Sequence, residues 1–193
     1  MAHREALTFS CGCGQLQGTV ERSGALPGTH IACHCSDCRA GVLYFGKPDP
    51  APEPVHIYQT TPDCITITQG AEQLAAMTLS KSGPYRWYAK CCDTPMFNTL
   101  RRPTLAFSGV HLACVRNSDA VGKVQCESFI PKPGGGTKNR GLYGAAMLVI
   151  CRLVAGRLSG RWRQTPFFDV TNRKPVSDPL KVDGETRARL YPG

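Results

Sequence analysis

The sequence predicts a mainly β fold with one C-terminal helix packed on its sheet. Three observations lead there: short alternating segments separated by Gly- and Pro-rich turns fill the first two-thirds of the chain, one apolar run at helical spacing follows, and the cysteines gather in tight clusters. The 193 residues, 41% of them hydrophobic, suffice for one ordinary core. A single domain is therefore expected, with a β unit over 1–130, a Gly/Pro loop over 131–141, and a helix plus irregular basic tail over 142–193 belonging to the same domain.

The elements follow in order. LTFSCGCGQLQGTVE, residues 7–21, alternates on either side of a glycine-marked bend and predicts a hairpin. KPDPAPEP, residues 47–54, carries four prolines, which lack the N–H a ladder or helix needs, so an extended surface loop is expected. DCITITQG alternates in period 2. LAAMTLSKSGPYRWYAKCC, residues 74–92, has a Ser-Gly-Pro turn between two strand-like arms, with Trp87, Tyr85 and Tyr88 packing the hairpin. Three consecutive glycines and two prolines in PKPGGGTKNRG, residues 131–141, predict a flexible connection without regular structure. In LYGAAMLVICRLVAGRL, residues 142–158, the period changes to helical: Leu142, Ala145, Ala146, Val149, Ile150, Leu153 and Val154 define the face expected to meet the sheet, with Arg152 and Arg157 off it. The tail reads as irregular with a short final helix.

The first ten residues lack the apolar core of a secretory signal, and no run of about 18 apolar residues occurs, so a soluble, cytoplasmic chain with no membrane partner is expected. Eleven cysteines in that reducing compartment are not a disulfide framework and point to metal or catalysis. Charge is uneven: residues 1–100 carry 7 Lys/Arg against 8 Asp/Glu and residues 101–193 carry 16 against 6, that is −1 and +10, summing to the net +9. The basic residues are scattered, so a solvated basic face is preferred over nucleic-acid binding through the C-terminal half, which stands as a further alternative.

In IACHCSDCRAG, residues 31–41, strand alternation would put Cys33 and Cys35 on one face and His34 on the other, and a tight turn at Ser36–Asp37 would fold Cys38 back to them. Three sulfurs could then converge on one soft ion, with zinc the commonest. The fourth position of such an ion is either closed by a distant residue or open to water or substrate. Cys11 and Cys13 in SCGCGQ form a second same-face pair, whose complement is Cys91 and Cys92 in KCCDTPMF. That site would staple the N-terminal strand to the central hairpin. Arg39, next to the triplet, could meet a substrate carboxylate. Cys64, Cys114, Cys126 and Cys151 are expected to be small buried hydrophobes, and His30, His56 and His111 have no metal-ligand spacing.

The order CGCG, CHCSDCR, then a hairpin into CDTPMF resembles the glutathione-dependent formaldehyde-activating enzyme family (GFA), which shares its domain with CENP-V proteins. The resemblance spans roughly residues 8–110 and implies a small β-tent holding two zinc ions. It makes Cys11 and Cys13, with the last pair, ligands of a structural zinc, and Cys33, Cys35 and Cys38 ligands of an active zinc. There the implied partner is a small thiol such as glutathione and its aldehyde adduct, and the implied activity is that of a carbon–sulfur lyase; a non-catalytic zinc-binding interaction module is the alternative. The last pair departs from the family's CxxCG[ST]PLF: Ala89 stands where its first cysteine belongs, Cys91 sits next to Cys92 instead, and Asp93 replaces the glycine. On a continuous strand Cys91 and Cys92 would face opposite ways, so the site needs a kink there or has lost its metal.

Overall fold

A computed structural model of the chain describes residues 5–22, 26 and 28–191. Its strands are β1 (Leu7–Ser10), β2 (Gln17–Val20), β3 (Thr29–Cys33), β4 (Val55–Thr60), β5 (Ile65–Gln69), β6 (Leu74–Thr78), β7 (Tyr85–Ala89), β8 (Thr94–Thr99), β9 (Ser108–His111), β10 (Cys126–Pro131), β11 (Thr137–Arg140), β12 (Phe168–Asp169), β13 (Lys174–Pro175) and β14 (Leu180–Lys181). The helices are α1 (Ser36–Leu43), α2 (Leu142–Leu158) and α3 (Gly184–Arg189). Nine strands form the principal sheet in the order β11-β10-β3-β4-β9-β8-β7-β6-β14, and β1-β2-β5 form a second, smaller one.

Period-2 alternation sorts side chains to the two faces of the large sheet. One face carries Tyr58, Trp87, Phe97 and Val110, and against it the small sheet packs Leu7, Phe9, Val20 and Ile65. Phe9 meets Phe97 edge-on, with ring centroids 5.0 Å apart. Gly18 makes this close approach possible, because a Cβ there would sit 2.1 Å from the Thr66 carbonyl oxygen and 2.4 Å from the Phe9 ring. Trp87, buried as expected, satisfies its indole by donating to Thr99 Oγ1 at 2.9 Å, and truncating it to alanine would cost roughly 3–5 kcal/mol. The other face carries Ile31, Cys33, Val55, Ile57 and Cys126, covered in part by Ala145 of α2, while Ala40 and Phe45 from α1 and its C-terminal turn pack on Met77 and Leu79.

The expected hairpins, the irregular 47–54 loop and the span of the long helix agree with the structure. Four expectations need correction. Residues 131–141 are not wholly irregular: β10 and β11 form an antiparallel hairpin, and Gly134, Gly135 and Gly136, all at positive φ, make its turn. Ser36 and Asp37 open a helix rather than a tight turn, because the Cys35 side chain caps it by accepting from the Cys38 N–H. The tail adds β12–β13 and pairs β14 in parallel with β6 as well as forming α3.

The fourth correction concerns which side of α2 is buried. Ala145, Arg152 and Gly156 face inward, whereas Leu142, Ile150 and Val154 of the expected inner face are exposed, and Cys151 is exposed rather than buried. Small residues decide this: a Cβ on Gly156 would stand 3.0 Å from that of Ala106, so only a slim side chain lets the helix come this close. The Arg152 guanidinium is satisfied by Thr29 Oγ1 at 3.1 Å, which makes its burial tolerable.

Candidate metal centres

Cys11, Cys13, Cys91 and Cys92 converge from two turns distant in sequence. The chain reverses after β1 through a turn in which the Gly14 N–H donates to the Cys11 carbonyl at 3.1 Å, with Gly14 at φ 80°. Cys91 and Cys92 lie beyond the end of β7, in the turn to β8, so strand alternation no longer separates them. That is the kink the site requires, and it corrects the picture of two cysteines ending a strand. Asp93 continues the turn at φ 50°, the left-handed region that favours glycine. Ala89, at the position of the missing motif cysteine, is fully buried in the core.

The sulfur positions fit a four-thiolate ion. Cys11–Cys13, Cys11–Cys91, Cys13–Cys91 and Cys91–Cys92 Sγ pairs lie 3.6, 3.8, 3.3 and 3.9 Å apart. A tetrahedron with Zn–S bonds of about 2.3 Å has edges of about 3.8 Å. The surroundings donate to sulfur as thiolate ligands require: the Leu16 N–H reaches Cys11 Sγ at 3.3 Å, and Thr94 Oγ1 lies 3.1 Å from Cys92 Sγ. Burial would raise the Cys92 thiol, but the Thr94 hydroxyl and Cys13 outweigh it and pull it down to about 6.

Cys33, Cys35 and Cys38 form the second cluster, with all three ligand atoms within 4.8 Å of one another. Cys33 ends β3, Cys35 is the N-cap of α1 and Cys38 lies in its first turn, so a strand end and a helix start bring the sulfurs together. Cys33 and Cys35 Sγ are 3.3 Å apart, and the Cys38 N–H donates to Cys35 Sγ at 3.3 Å. Hydrogen bonds from the Cys35 and Cys38 thiols pull the Cys33 thiol down to about 2, while the same sharing pushes Cys38 well up. The shared hydrogen bonds thus favour the thiolate form at Cys33 over Cys38. Arg86 of β7 fixes the helix: its guanidinium donates to the Asp37 carbonyl at 2.7 Å and lies against Gly41, where a Cβ would come within 2.6 Å of Arg86 Nη1.

Other residues are disposed differently. Arg39 makes a bidentate pair with Asp49 through Nε and Nη2, at 2.8 and 2.6 Å, so that edge of its guanidinium is already taken. His34 points away from the sulfurs, as alternation suggests, and bonds Glu127 at 3.0 Å. His111 is a core residue paired with Asn98 at 3.2 Å, and burial lowers its pKa to about 3. Cys64 is half-buried and Cys114 buried. Cys126, read from sequence as isolated, is buried in the same apolar cluster as Cys33 and Cys38 because β10 lies parallel to β3 with Cys126 opposite Ile31. Only that long-range pairing reveals it.

A cleft of about 1010 Å³ is lined by Val42, Pro54, Val55, Thr94, Leu112 and a histidine pair, among others. His30 Nδ1 bonds the Gly122 carbonyl at 2.8 Å and its Nε2 lies 3.0 Å from His56 Nδ1. A carbonyl only accepts, which fixes the neutral tautomers: His30 carries its proton on Nδ1, His56 donates from Nδ1, and His56 Nε2 keeps its lone pair. Sequence spacing alone missed this pair, which register creates by setting Ala32 opposite His56. By the same alternation the two rings leave the sheet on the face opposite Cys33, so they do not aim at the triplet.

A β-rich chain with a four-cysteine and a three-cysteine cluster, both spaced for a soft metal, is what fold and site define together. The chain belongs to a family of unknown function, DUF6151, whose profile matches residues 4–177. No curated protein matches it in sequence. Among solved structures, a Rhodobacter sphaeroides protein is similar over 61% of this chain and 96% of its own, at 19% identity and a TM-score of 0.42.

Proposed function

We propose that the protein is a zinc-dependent, carbon–sulfur lyase-like enzyme acting on the adduct of a small aldehyde with a glutathione-type thiol. In this reading Cys11, Cys13, Cys91 and Cys92 hold a structural zinc, and Cys33, Cys35 and Cys38 an active one. The observation that carries it is the unequal thiol count: four sulfurs gather in one cluster and three in the other. A tetrahedral ion held by three protein thiolates has one position left for an exchangeable donor. Bound there, zinc would supply orientation and polarisation of an incoming thiolate. Three negative sulfurs suit capture of such a ligand better than acidification of water.

The chain's own groups prepare the triplet. The Cys38 N–H donates to the Cys35 sulfur at 3.3 Å and so fixes its direction. In the reference reaction the thiol loses its S–H proton and its sulfur bonds to the aldehyde carbon; the carbonyl π pair moves to oxygen, which takes up a proton, so the addition is proton-neutral overall. The motif resemblance to the GFA family supports the same reading. Arg39 is given no role in this reading, since Asp49 pairs with its Nε and Nη2.

One observation favours a second reading. Cys126 shares the buried apolar cluster of Cys33 and Cys38, though its sulfur is not among those within 4.8 Å of one another, and a shift that brought it in as a fourth ligand would close the triplet into a non-catalytic zinc module. Calorimetric titration of glutathione into the zinc-loaded protein separates the two. Heat in the wild type that disappears with Cys38→Ser supports the open site. Absence of heat at millimolar glutathione, with heat emerging on Cys126→Ala, would instead mean that Cys126 closes it.

A further inference from the structure

Helix α2 is inverted relative to the usual amphipathic arrangement. Its inward side is made of Ala145, Arg152 and Gly156, whereas Tyr143, Met147, Ile150, Val154 and Leu158 stand outward with between 42% and 83% of their surface exposed. The spacing of 4, 3, 4 and 4 residues lines these five up as one continuous stripe along the helix. Seventeen residues rising about 1.5 Å each give a ridge of roughly 25 Å. A soluble surface rarely leaves such a row to water, and it marks a contact.

Charge indicates what the contact is. From Ser128 to Phe168 the sequence has no Asp or Glu but carries Lys132, Lys138, Arg140, Arg152, Arg157, Arg161 and Arg163. Arg152 is buried, Arg140 pairs with Glu127 and Arg161 with Asp63. Lys132, Lys138, Arg157 and Arg163 are exposed; the two lysines belong to the β10–β11 hairpin, which runs into α2 through Gly141. Pairing this face with a second copy would double an already uncompensated cation cluster, which disfavours a homodimer. Nucleic acid would meet the charge but gain little from a ridge in which only Tyr143 offers a ring and the other four side chains are non-aromatic, since bases reward aromatic stacking. Anionic lipid satisfies both parts, taking the ridge into the headgroup and acyl boundary while lysine and arginine meet phosphates.

We infer that α2 and the β10–β11 hairpin form a docking surface for an anionic membrane, on which the helix lies flat. Among the described residues no helix is long and apolar enough to cross a membrane, so the contact is peripheral. It leaves both cysteine clusters unchanged and does not depend on the reaction proposed for the triplet.

Co-sedimentation of the full chain with vesicles of phosphatidylcholine and phosphatidylglycerol mixed two to one, against pure phosphatidylcholine, tests it. Stronger partitioning to the mixed vesicles, weakened by added salt and lowered at least about tenfold by Ile150→Asp with Val154→Asp, is the expected result. Both side chains are about half exposed, so these changes spare the core, and an unchanged melting temperature of the variant checks that. Failure to bind the mixed vesicles, equal binding to both vesicle types, or equal binding by the doubly substituted chain would overturn the inference. So would light scattering that shows a wild-type dimer dissociating on the same two substitutions, which would assign the ridge to a second copy.

Discussion

The two cysteine clusters have similar chemistry and opposite places in the fold. The four-cysteine cluster joins residues 80 apart in sequence, the turn after β1 and the turn after β7, whereas the triplet is gathered from residues 33 to 38 at the junction of β3 and α1. A metal in the first closes a long loop and ties the small sheet to the large one, so its binding energy is folding energy. A metal in the second constrains six residues that Arg86 and the N-cap already hold. The first cluster is therefore placed to tie the fold together, and the second is the one the proposed function makes active.

The largest expected effect that sharpens this contrast is Cys91→Ser. If the four-thiolate metal is a staple, melting should show a loss of about 3–5 kcal/mol or a failure to accumulate folded chain, and metal analysis should fall from two zinc ions per chain to one. An unchanged melting curve would break the comparison. Next in size is Cys38→Ser: thiol binding should vanish in calorimetry with a loss of only about 1–2 kcal/mol of stability, because a small polar group replaces a buried sulfur and no long loop opens. A collapse as large as that of Cys91→Ser would make the triplet structural as well.

Cys126→Ala should leave zinc stoichiometry and glutathione heat unchanged, at a cost of about 1 kcal/mol for the lost packing. Zinc loss from the triplet in this variant would show a fourth protein ligand. The smallest effect belongs to Asp93→Gly. Relieving a side chain from φ 50° should raise stability by about 0.5–1 kcal/mol in denaturant melts, with no change in thiol binding, because the residue lies in the turn of the four-cysteine cluster and not in the triplet. A loss of stability would mean that the Asp93 side chain supports that turn.

Much of this was legible from residue types. Alternation found the hairpins of the first hundred residues, the four prolines marked the 47–54 loop, and helical spacing found α2 from Leu142 to Leu158. Cysteine grouping found both sets of ligands. Local rules erred where a choice between equivalents was needed. Every turn of α2 is apolar, so periodicity could not say which side the sheet would take, and the answer came from the slimness of Gly156 and Ala145. Ser36 and Asp37 suit a turn and a helix start equally, and the Cys35 cap selects the helix.

What the sequence by itself determined is the inventory: β hairpins, one long helix, and thiols in numbers and spacings that suit soft metals, because these depend on side-chain chemistry and on neighbours within a few residues. What only the tertiary structure decided is which groups meet. Cys91 and Cys92 joining Cys11 and Cys13, Cys126 beside Cys33, His30 against His56 and the outward ridge of α2 all follow from pairings between distant strands, whose register and packing no local pattern encodes.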